Sequence, residues 1–135
     1  MKGHKVGGQN FYQINERVYI TEQGISEFND ITNEVFDISS PGKVLRKYIA
    51  LFNLLGCGRR INHPEKIEHL GGKAFELKSK PFRAGALSVN GCWLILSFWK
   101  VQANSSKSKS ESIKRACRLC EETEDDFRRL LQRLR

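Results

Sequence analysis

The chain has 135 residues, of which 39% are hydrophobic and 10% are aromatic. A chain of this length and composition can bury one hydrophobic core, so we expect a single folded domain, and general disorder is excluded. No apolar run approaches the length of a membrane span, and the first ten residues lack the apolar core of a signal peptide. We therefore expect a cytoplasmic protein without a membrane partner, whose four cysteines are thiols.

The positive charge is concentrated in one part of the chain. The formal net charge is +8, and residues 71–118 alone carry a net +8 from ten basic and two acidic residues. Such a concentration of charge indicates a polyanionic partner, and nucleic acid is the commonest one in the cytoplasm. A solvated basic surface explains the composition equally well.

The first third of the chain predicts strands followed by a helix. Residues 1–10 contain three glycines and little to pack, which predicts a flexible N-terminus. Alternating apolar residues between Phe11 and Ile20 predict one or two strands, with a turn at Asn15-Glu16. Apolar residues then recur every three to four positions, from Ile25 to Val35. This period predicts an amphipathic helix that ends near Asp37.

A second helix is predicted from its N-terminal signal. Ser40 can act as the N-cap, and Pro41 can occupy the first helical position, where its missing N–H costs nothing. A broad apolar stripe runs from Val44 to Leu55, and Gly56 and Gly58 are expected to end the helix. A connector containing Asn62-His63-Pro64 follows.

Three β-prone runs then form a predicted meander over residues 74–79, 82–88 and 92–101. Pro81 separates the first two runs, and the Asn90-Gly91 pair favours a type I′ hairpin turn before the third. The third run is apolar almost throughout, as expected of a central strand buried on both faces. The first two carry Lys78, Lys80 and Arg83 beside the apolar positions, which suggests a phosphate-binding surface.

The last part of the chain reads as a basic Ser/Lys loop over residues 102–109 and a C-terminal helix over residues 110–135. We find no internal repeat and no domain linker. The order of elements predicts a small α+β fold, in which two N-terminal helices and a C-terminal helix pack on an antiparallel-rich twisted sheet.

Some residues that suggest chemistry have simpler interpretations. Cys117 and Cys120 form a Cys-x-x-Cys, but they lie in a helical period without a second pair, which favours burial over a zinc site. His63 and His69 are interpreted as surface histidines. Strict alternation would place Trp93 and Trp99 on one face of the sheet and Phe98 on the other, where some of these rings could stack on bases.

The segment from Glu65 to Lys100 has the order and spacing of a known group of sequences. It combines the connector 65–72, the strands around Phe75–Lys78 and Phe82-Arg83, the Asn90-Gly91 hairpin and a final apolar strand. Following a helix pair, this arrangement resembles the RelE/HigB-type toxins of bacterial toxin–antitoxin modules, especially the phage-derived branch. The resemblance covers roughly residues 40–120 and implies a RelE-like fold.

The resemblance implies an mRNA endonuclease, acting with or without the ribosome, in which a ribose 2′-OH attacks the adjacent phosphate. That reaction requires no metal or other cofactor, but it requires a base, an acid and cations that stabilise the phosphorane. Arg83 matches the phosphate-stabilising position, and clustered lysines could act as the base because neighbouring cations lower a lysine pKa. The predicted catalytic residues are therefore Lys78, Lys80, Arg83 and Lys100, and the predicted RNA-binding residues are Lys73, Lys107, Lys109, Lys114 and Arg115.

The resemblance also implies a partner, a cognate antitoxin protein, in addition to mRNA and the ribosome. The chain departs from the family because it has no His or Tyr after His69 to act as the general acid. A catalytically weak or inactive RelE-like module that binds nucleic acid or protein is therefore the alternative hypothesis. A basic DNA-binding regulator is a weaker one, since no helix-turn-helix spacing supports it.

Overall fold

The computed structural model describes residues 1–58, 66–101 and 106–135, except for the side chains of residues 106–108. Its elements in chain order are β1 (Lys2–Val6), β2 (Gln9–Gln13), β3 (Val18–Thr21), α1 (Glu22–Thr32), α2 (Lys43–Gly56), β4 (Ile67–Gly71), β5 (Ala74–Ser79), β6 (Phe82–Val89), β7 (Cys92–Lys100) and α3 (Ser106–Arg133). The predicted α+β class is confirmed.

The strands form one seven-stranded sheet in the order β1-β2-β3-β7-β6-β5-β4. Every neighbouring pair is antiparallel except β3 and β7, which run parallel. The parallel pair requires a crossover, and the chain between β3 and β7 supplies it through α1, α2 and the meander. The sheet is therefore antiparallel-rich, as predicted.

The two faces of the sheet bury separate hydrophobic cores, because successive side chains of a strand point to opposite faces. α1 and α2 cover one face, where Ile20, Ile95 and Phe98 meet Phe28, Tyr48 and Phe52. α3 covers the other face, where Tyr19, Leu87 and Leu94 meet Phe127 and Leu130. We call these the α1/α2 face and the α3 face.

The predicted flexible N-terminus is wrong, since residues 2–6 form an edge strand of the sheet. β1 and β2 are joined by Gly7 and Gly8, which both have positive φ, at 58° and 80°. Only glycine adopts this conformation readily, so the two glycines make a hairpin turn rather than a flexible tail. Three strands therefore precede α1, and the helix pair is not at the N-terminus of the fold.

The boundaries of the first two helices also differ from the prediction. α1 begins after Thr21, whose side chain accepts a hydrogen bond from the Gly24 N–H at 3.0 Å, and it ends at Thr32 rather than near Asp37. The N-cap of α2 is Gly42, not Ser40. Glu34 caps α2 from outside the helix, because its carboxylate accepts hydrogen bonds from the N–H groups of Val44 and Leu45, both at 3.1 Å.

The predicted meander is confirmed as β5, β6 and β7, with α2 packed on the sheet. Asn90 and Gly91 both have positive φ, at 51° and 80°, as a type I′ turn requires. β4 was not predicted. It pairs antiparallel with β5 and forms the second edge of the sheet.

A β-bulge in β7 overturns one prediction. Gly85 pairs with Ser97 while Ala86 pairs with Ile95, so Leu96 is an extra residue in the strand. An extra residue reverses the alternation beyond it. Trp93 and Phe98 therefore both contact the core of the α1/α2 face, whereas Trp99 lies on the α3 face.

The C-terminal helix α3 begins at Ser106, so residues 106–109 are helical rather than part of the predicted loop. Residues 102–105, together with the connector that contains His63, lie outside the described residues. Of the helices in the described part of the chain, none is both long enough and apolar enough to cross a lipid bilayer.

Candidate functional site

Two rows of residues cross β5, β6 and β7 on the α3 face. In the first row Glu76 pairs with Gly85, which pairs with Ser97, and in the second Lys78 pairs with Arg83, which pairs with Trp99. Members of the rows are two residues apart on each strand, so all six positions share one face. We call Glu76, Lys78, Arg83, Ser97 and Trp99 the polar cluster.

Gly85 at the centre of the polar cluster allows α3 to lie close to the sheet. A Cβ atom at this position would lie 2.6 Å from the Ser97 Oγ atom and 2.8 Å from the Ala116 Cβ atom of α3. Both distances are too short for real contacts, so a side chain at position 85 would displace the helix. α3 therefore covers the polar cluster on this face of the sheet.

An ion pair lies inside the polar cluster. The Arg83 Nε atom lies 3.0 Å from the Glu76 Oε1 atom, and the exposed fractions of the two side chains are 15% and 2%. Arg83 Nη1 also donates to the Phe82 carbonyl oxygen at 3.0 Å. Two contacts thus orient the guanidinium. Burial of a charged pair lends little net stability, so this arrangement is not explained by stability alone.

Three buried polar atoms of the cluster have no hydrogen-bond partner in the part of the protein that the structure describes. They are Glu76 Oε2, Ser97 Oγ and Trp99 Nε1, and among the described residues only His4 contributes another such atom. An unpaired buried polar atom costs roughly 1–3 kcal/mol, and native proteins retain few of them. Their concentration around Gly85 makes the polar cluster the candidate functional site.

Positive charge converges on Glu68 at the edge of the polar cluster. Lys78 Nζ lies 2.8 Å from Glu68 Oε2, and about half of the Glu68 side chain is exposed. The hydrogen bond from Lys78 lowers the pKa of the Glu68 carboxyl group, and the charges of Lys78, Lys109 and Arg83 lower it further. The fold therefore brings together three of the predicted site residues, Lys78, Arg83 and Lys109.

Two predicted catalytic residues lie elsewhere. Lys80 is exposed in the turn between β5 and β6 and lines a groove beside α2. Lys100 is exposed at the end of β7, where alternation with Trp99 places it on the α1/α2 face. Neither residue belongs to the polar cluster.

The predicted RNA-binding residues are dispersed along α3 and the β4–β5 turn. Lys73 Nζ lies 2.7 Å from Glu124 Oε2, which ties that turn to α3. Lys109 and Lys114 are exposed on α3. Lys107 is in the first turn of α3, outside the side chains that the structure describes.

Arg115 joins α3 to α1. Its Nη1 and Nη2 atoms donate to the two Glu27 oxygens at 2.8 and 2.5 Å, and this hydrogen bonding raises the pKa of the guanidinium. The Phe98 N–H group also donates a hydrogen bond to Glu27 Oε1 at 3.3 Å. Phe98 lies beyond the residues of β7 that pair with β3. Arg115 therefore has a structural partner, and its predicted contact with RNA stays a prediction.

Sequence reasoning missed Glu76, Glu68 and Ser97. Glu76 could have been noticed, because it is the one acidic residue within the otherwise apolar or basic run 74–80 and alternates onto the same face as Lys78. Its contact with Arg83 depends on the pairing of β5 with β6. Ser97 carried no signal, since its burial depends on the bulge and on α3.

The cysteines and His69 agree with their simpler interpretations. The Cys120 thiol is buried and donates to the Ala86 carbonyl oxygen at 3.6 Å, and burial raises its pKa to about 12. His69 is exposed, with Nε2 2.7 Å from the Gly72 carbonyl oxygen. Within residues 1–58, 66–101 and 106–135, no three His, Cys, Asp or Glu side chains are grouped to hold a metal ion.

The polar cluster combines a carboxylate that has one free oxygen, a guanidinium, an ammonium group and an indole N–H. These groups can accept a proton, stabilise an oxyanion and orient a polar ligand. The chain matches no known protein-family model, and no curated protein is significantly similar to it.

Proposed function

We propose that the protein is a toxin of the RelE/HigB type, from the phage-derived branch, and cleaves mRNA as a metal-independent endoribonuclease. The helix pair α1–α2 followed by the β5–β7 meander and α3 supports this proposal, because the sequence resemblance rests on the same succession. The β1–β2 hairpin and β4 are additions to that succession. A RelE-like fold is part of the proposal.

The Glu76–Arg83 pair is the observation that carries the proposed chemistry. Arg83 would stabilise the phosphorane, since a guanidinium offers several donors to phosphate oxygens. Lys78 already forms an ion pair with Glu68, with 2.8 Å between Nζ and Oε2. The proton acceptor is therefore better assigned to Glu76, whose Oε2 atom is unpaired.

The proposed step conserves atoms and charge. The 2′-oxygen of a ribose attacks the adjacent phosphorus, its proton passes to Glu76 Oε2, and the bond from phosphorus to the 5′-oxygen breaks. The leaving 5′-oxygen takes a proton from the Lys78 ammonium group. The products are a 2′,3′-cyclic phosphate and a 5′-hydroxyl, and Trp99 would contact a base next to the scissile bond.

The burial of Glu76 favours a second candidate function. The residue is only 1% exposed beneath α3, and Lys78 and Arg83 both already contact a carboxylate. RNA would have to displace side chains or part of α3 to reach Glu76. If that displacement does not occur, the protein is a catalytically inactive RelE-like module that binds nucleic acid or protein.

The partners follow from the toxin proposal. They are mRNA, the ribosome and a cognate antitoxin protein that keeps the toxin inactive in the cytoplasm. A chain with a net charge of +8 would attract an acidic antitoxin. Co-expression with the product of the adjacent gene should give a complex that dissociates only at high salt.

The deciding experiment is cleavage of translated mRNA by the purified protein, with ribosomes present and absent. We expect Arg83→Ala and Glu76→Gln each to reduce the rate at saturating RNA by about 100- to 1,000-fold, because both groups act in the transition state. Lys114→Ala, on the exposed side of α3, serves as the control. It should weaken binding only slightly and lower its salt dependence.

Arg83→Ala leaves the Glu76 charge buried and could unfold the protein, so Arg83→Lys and a denaturation curve for each variant accompany the assay. A folded Arg83→Lys variant that cuts at the wild-type rate would contradict the role of the guanidinium. Wild-type protein that binds RNA but cuts nothing in either setting would identify the inactive binding module.

A further inference from the structure

A groove of about 530 Å³ lies between α2 and the C-terminal end of β5, and one member of the polar cluster, Lys78, contributes to its lining. Its apolar floor is formed by Ala50, Leu51 and Leu54 of α2, and its rim by Lys47, Lys66 and Lys80. We call it the basic groove. Because α2 and α3 cover opposite faces of the sheet, the basic groove opens on the α1/α2 side.

The described residues that line the basic groove carry charge of one sign. They include four lysines, the fourth being Lys78, and no acidic residue. Among the described residues, no ion pair involves Lys47, Lys66 or Lys80. Three lysines from three separate segments thus face solvent around one depression, and they repel one another until an anion is bound.

The floor of the groove exposes apolar surface. Leu54 is 40% exposed and is one of few large hydrophobic residues that the described chain leaves on its surface. Lys47, Ala50 and Leu54 are spaced by three and four residues, so they share one face of α2. An aliphatic strip bordered by cations matches a helix that presents leucine-type side chains flanked by carboxylates.

RNA fits this groove less well. Single-stranded nucleic acid binds by stacking its bases on aromatic rings in addition to pairing phosphates with cations. No aromatic residue is found in the part of the groove lining that the structure describes. Phosphates could contact the lysines, but the exposed leucine would then remain uncovered.

We propose that the basic groove docks an acidic amphipathic helix of a protein partner. The proposal deepens the proposed function, and only the identification of that partner as the antitoxin rests on it. Docking here would leave Arg83 and Trp99 uncovered, since both lie on the α3 face. The partner would therefore contact the polar cluster only through Lys78.

The test uses a fluorescein-labelled synthetic helix of glutamate and leucine, about 20 residues long, with leucines at positions i, i+3, i+4 and i+7. A scrambled peptide of the same composition carries the same charge without the apolar face. Binding to the full-length protein is measured by fluorescence anisotropy. We expect saturable binding of the helix and at least tenfold weaker binding of the scrambled peptide.

Two variants of the groove have matched controls. Lys47→Glu/Lys80→Glu changes the net charge by the same amount as its control, Lys2→Glu/Lys5→Glu. The control residues lie on β1, at the other edge of the sheet. Leu54→Glu is matched by Val35→Glu, since both side chains are exposed. Both groove variants should weaken peptide binding at least tenfold. Each control carries the same change in net charge as its groove variant, and its affinity for the peptide should stay within about twofold of the wild type.

Three outcomes would overturn the proposal. They are the absence of saturable binding up to about 1 mM peptide, equal binding of the helix and its scrambled form, and an insensitivity to Leu54→Glu. The groove would be a nucleic-acid surface if Lys47→Glu/Lys80→Glu weakened the binding of an RNA oligonucleotide while Leu54→Glu left the affinities for both RNA and the peptide unchanged. The folded Arg83→Lys variant should bind the peptide like the wild type, so failure of the nuclease proposal leaves this result intact.

Discussion

The two faces of the sheet bury residues of different chemistry on the same strands. On the α1/α2 face, the Phe98 ring lies 5.2 Å from Phe28 and 5.4 Å from Tyr48 in edge-to-face contacts, and the Tyr48 hydroxyl lies 3.5 Å from the Leu77 carbonyl oxygen. On the α3 face, Trp99, the next residue in β7, borders an ion pair and unpaired polar atoms.

The aromatic residues of the α1/α2 face stabilise the fold, whereas a gain in stability does not explain the polar residues of the α3 face. Edge-to-face aromatic contacts add to the gain from apolar burial. Buried ions and unpaired hydroxyl or indole groups reduce stability unless a ligand or another group compensates for them. The half of the α3 face near the β5–β6 turn is therefore the candidate site, while the other half packs Phe127 on Phe11 and Tyr19.

The largest effect is expected for Phe98→Ala on the α1/α2 face. Removing a fully packed phenyl ring leaves a cavity and should lower the free energy of unfolding by about 3–5 kcal/mol. Trp99→Ala, one residue later, should cost only about 1–2 kcal/mol because its surroundings are polar and partly open. Urea denaturation of both variants makes the comparison. Equal losses would show that the two faces are packed alike.

An intermediate effect is expected for the ion pair. Arg83→Met should lower the free energy of unfolding by about 3 kcal/mol, because it leaves the Glu76 charge buried without a partner. The double variant Glu76→Leu/Arg83→Met should return to within about 1 kcal/mol of the wild type, since an apolar pair of similar volume replaces both ions. A double variant no more stable than Arg83→Met alone would mean that the pair is needed for folding.

The smallest effect is expected at Ser97, compared with a paired hydroxyl at Thr21. Both residues are buried, but only Thr21 Oγ1 accepts a hydrogen bond, from the Gly24 N–H at 3.0 Å. Thr21→Val should cost about 1 kcal/mol because α1 loses its N-cap. Ser97→Ala should be neutral or slightly stabilising, because it removes an unpaired polar atom. Thermal unfolding of both variants measures this, and a clear loss at Ser97 would reveal a hidden partner.

Local patterns predicted the parts of the fold that depend on neighbouring residues. The period of Val44–Leu55 predicted α2, and the Asn90-Gly91 pair with its flanking apolar runs predicted the hairpin of β6 and β7. These signals are reliable because helix period and turn conformation depend on residues that are close in sequence. The Gly7-Gly8 turn was the same kind of signal, but the strand beside it, with Lys2 and Lys5, lacks the apolar alternation that marks a strand.

Within the site, the sequence predicted that Lys78, Lys80 and Arg83 share one surface. The structure pairs Lys78 with Arg83 but leaves Lys80 in the β5–β6 turn. Tertiary structure decided the rest. The Leu96 bulge places Trp99 on the same face as Arg83, and the approach of α3 to Gly85 buries Glu76. Glu27 binds Arg115, which is 88 residues away in sequence. Glu34 accepts hydrogen bonds from residues 10 and 11 positions later in the chain. Such contacts join side chains from separate elements. The sequence around a carboxylate or around an extra strand residue does not identify the side chain that will pack against it in the folded protein.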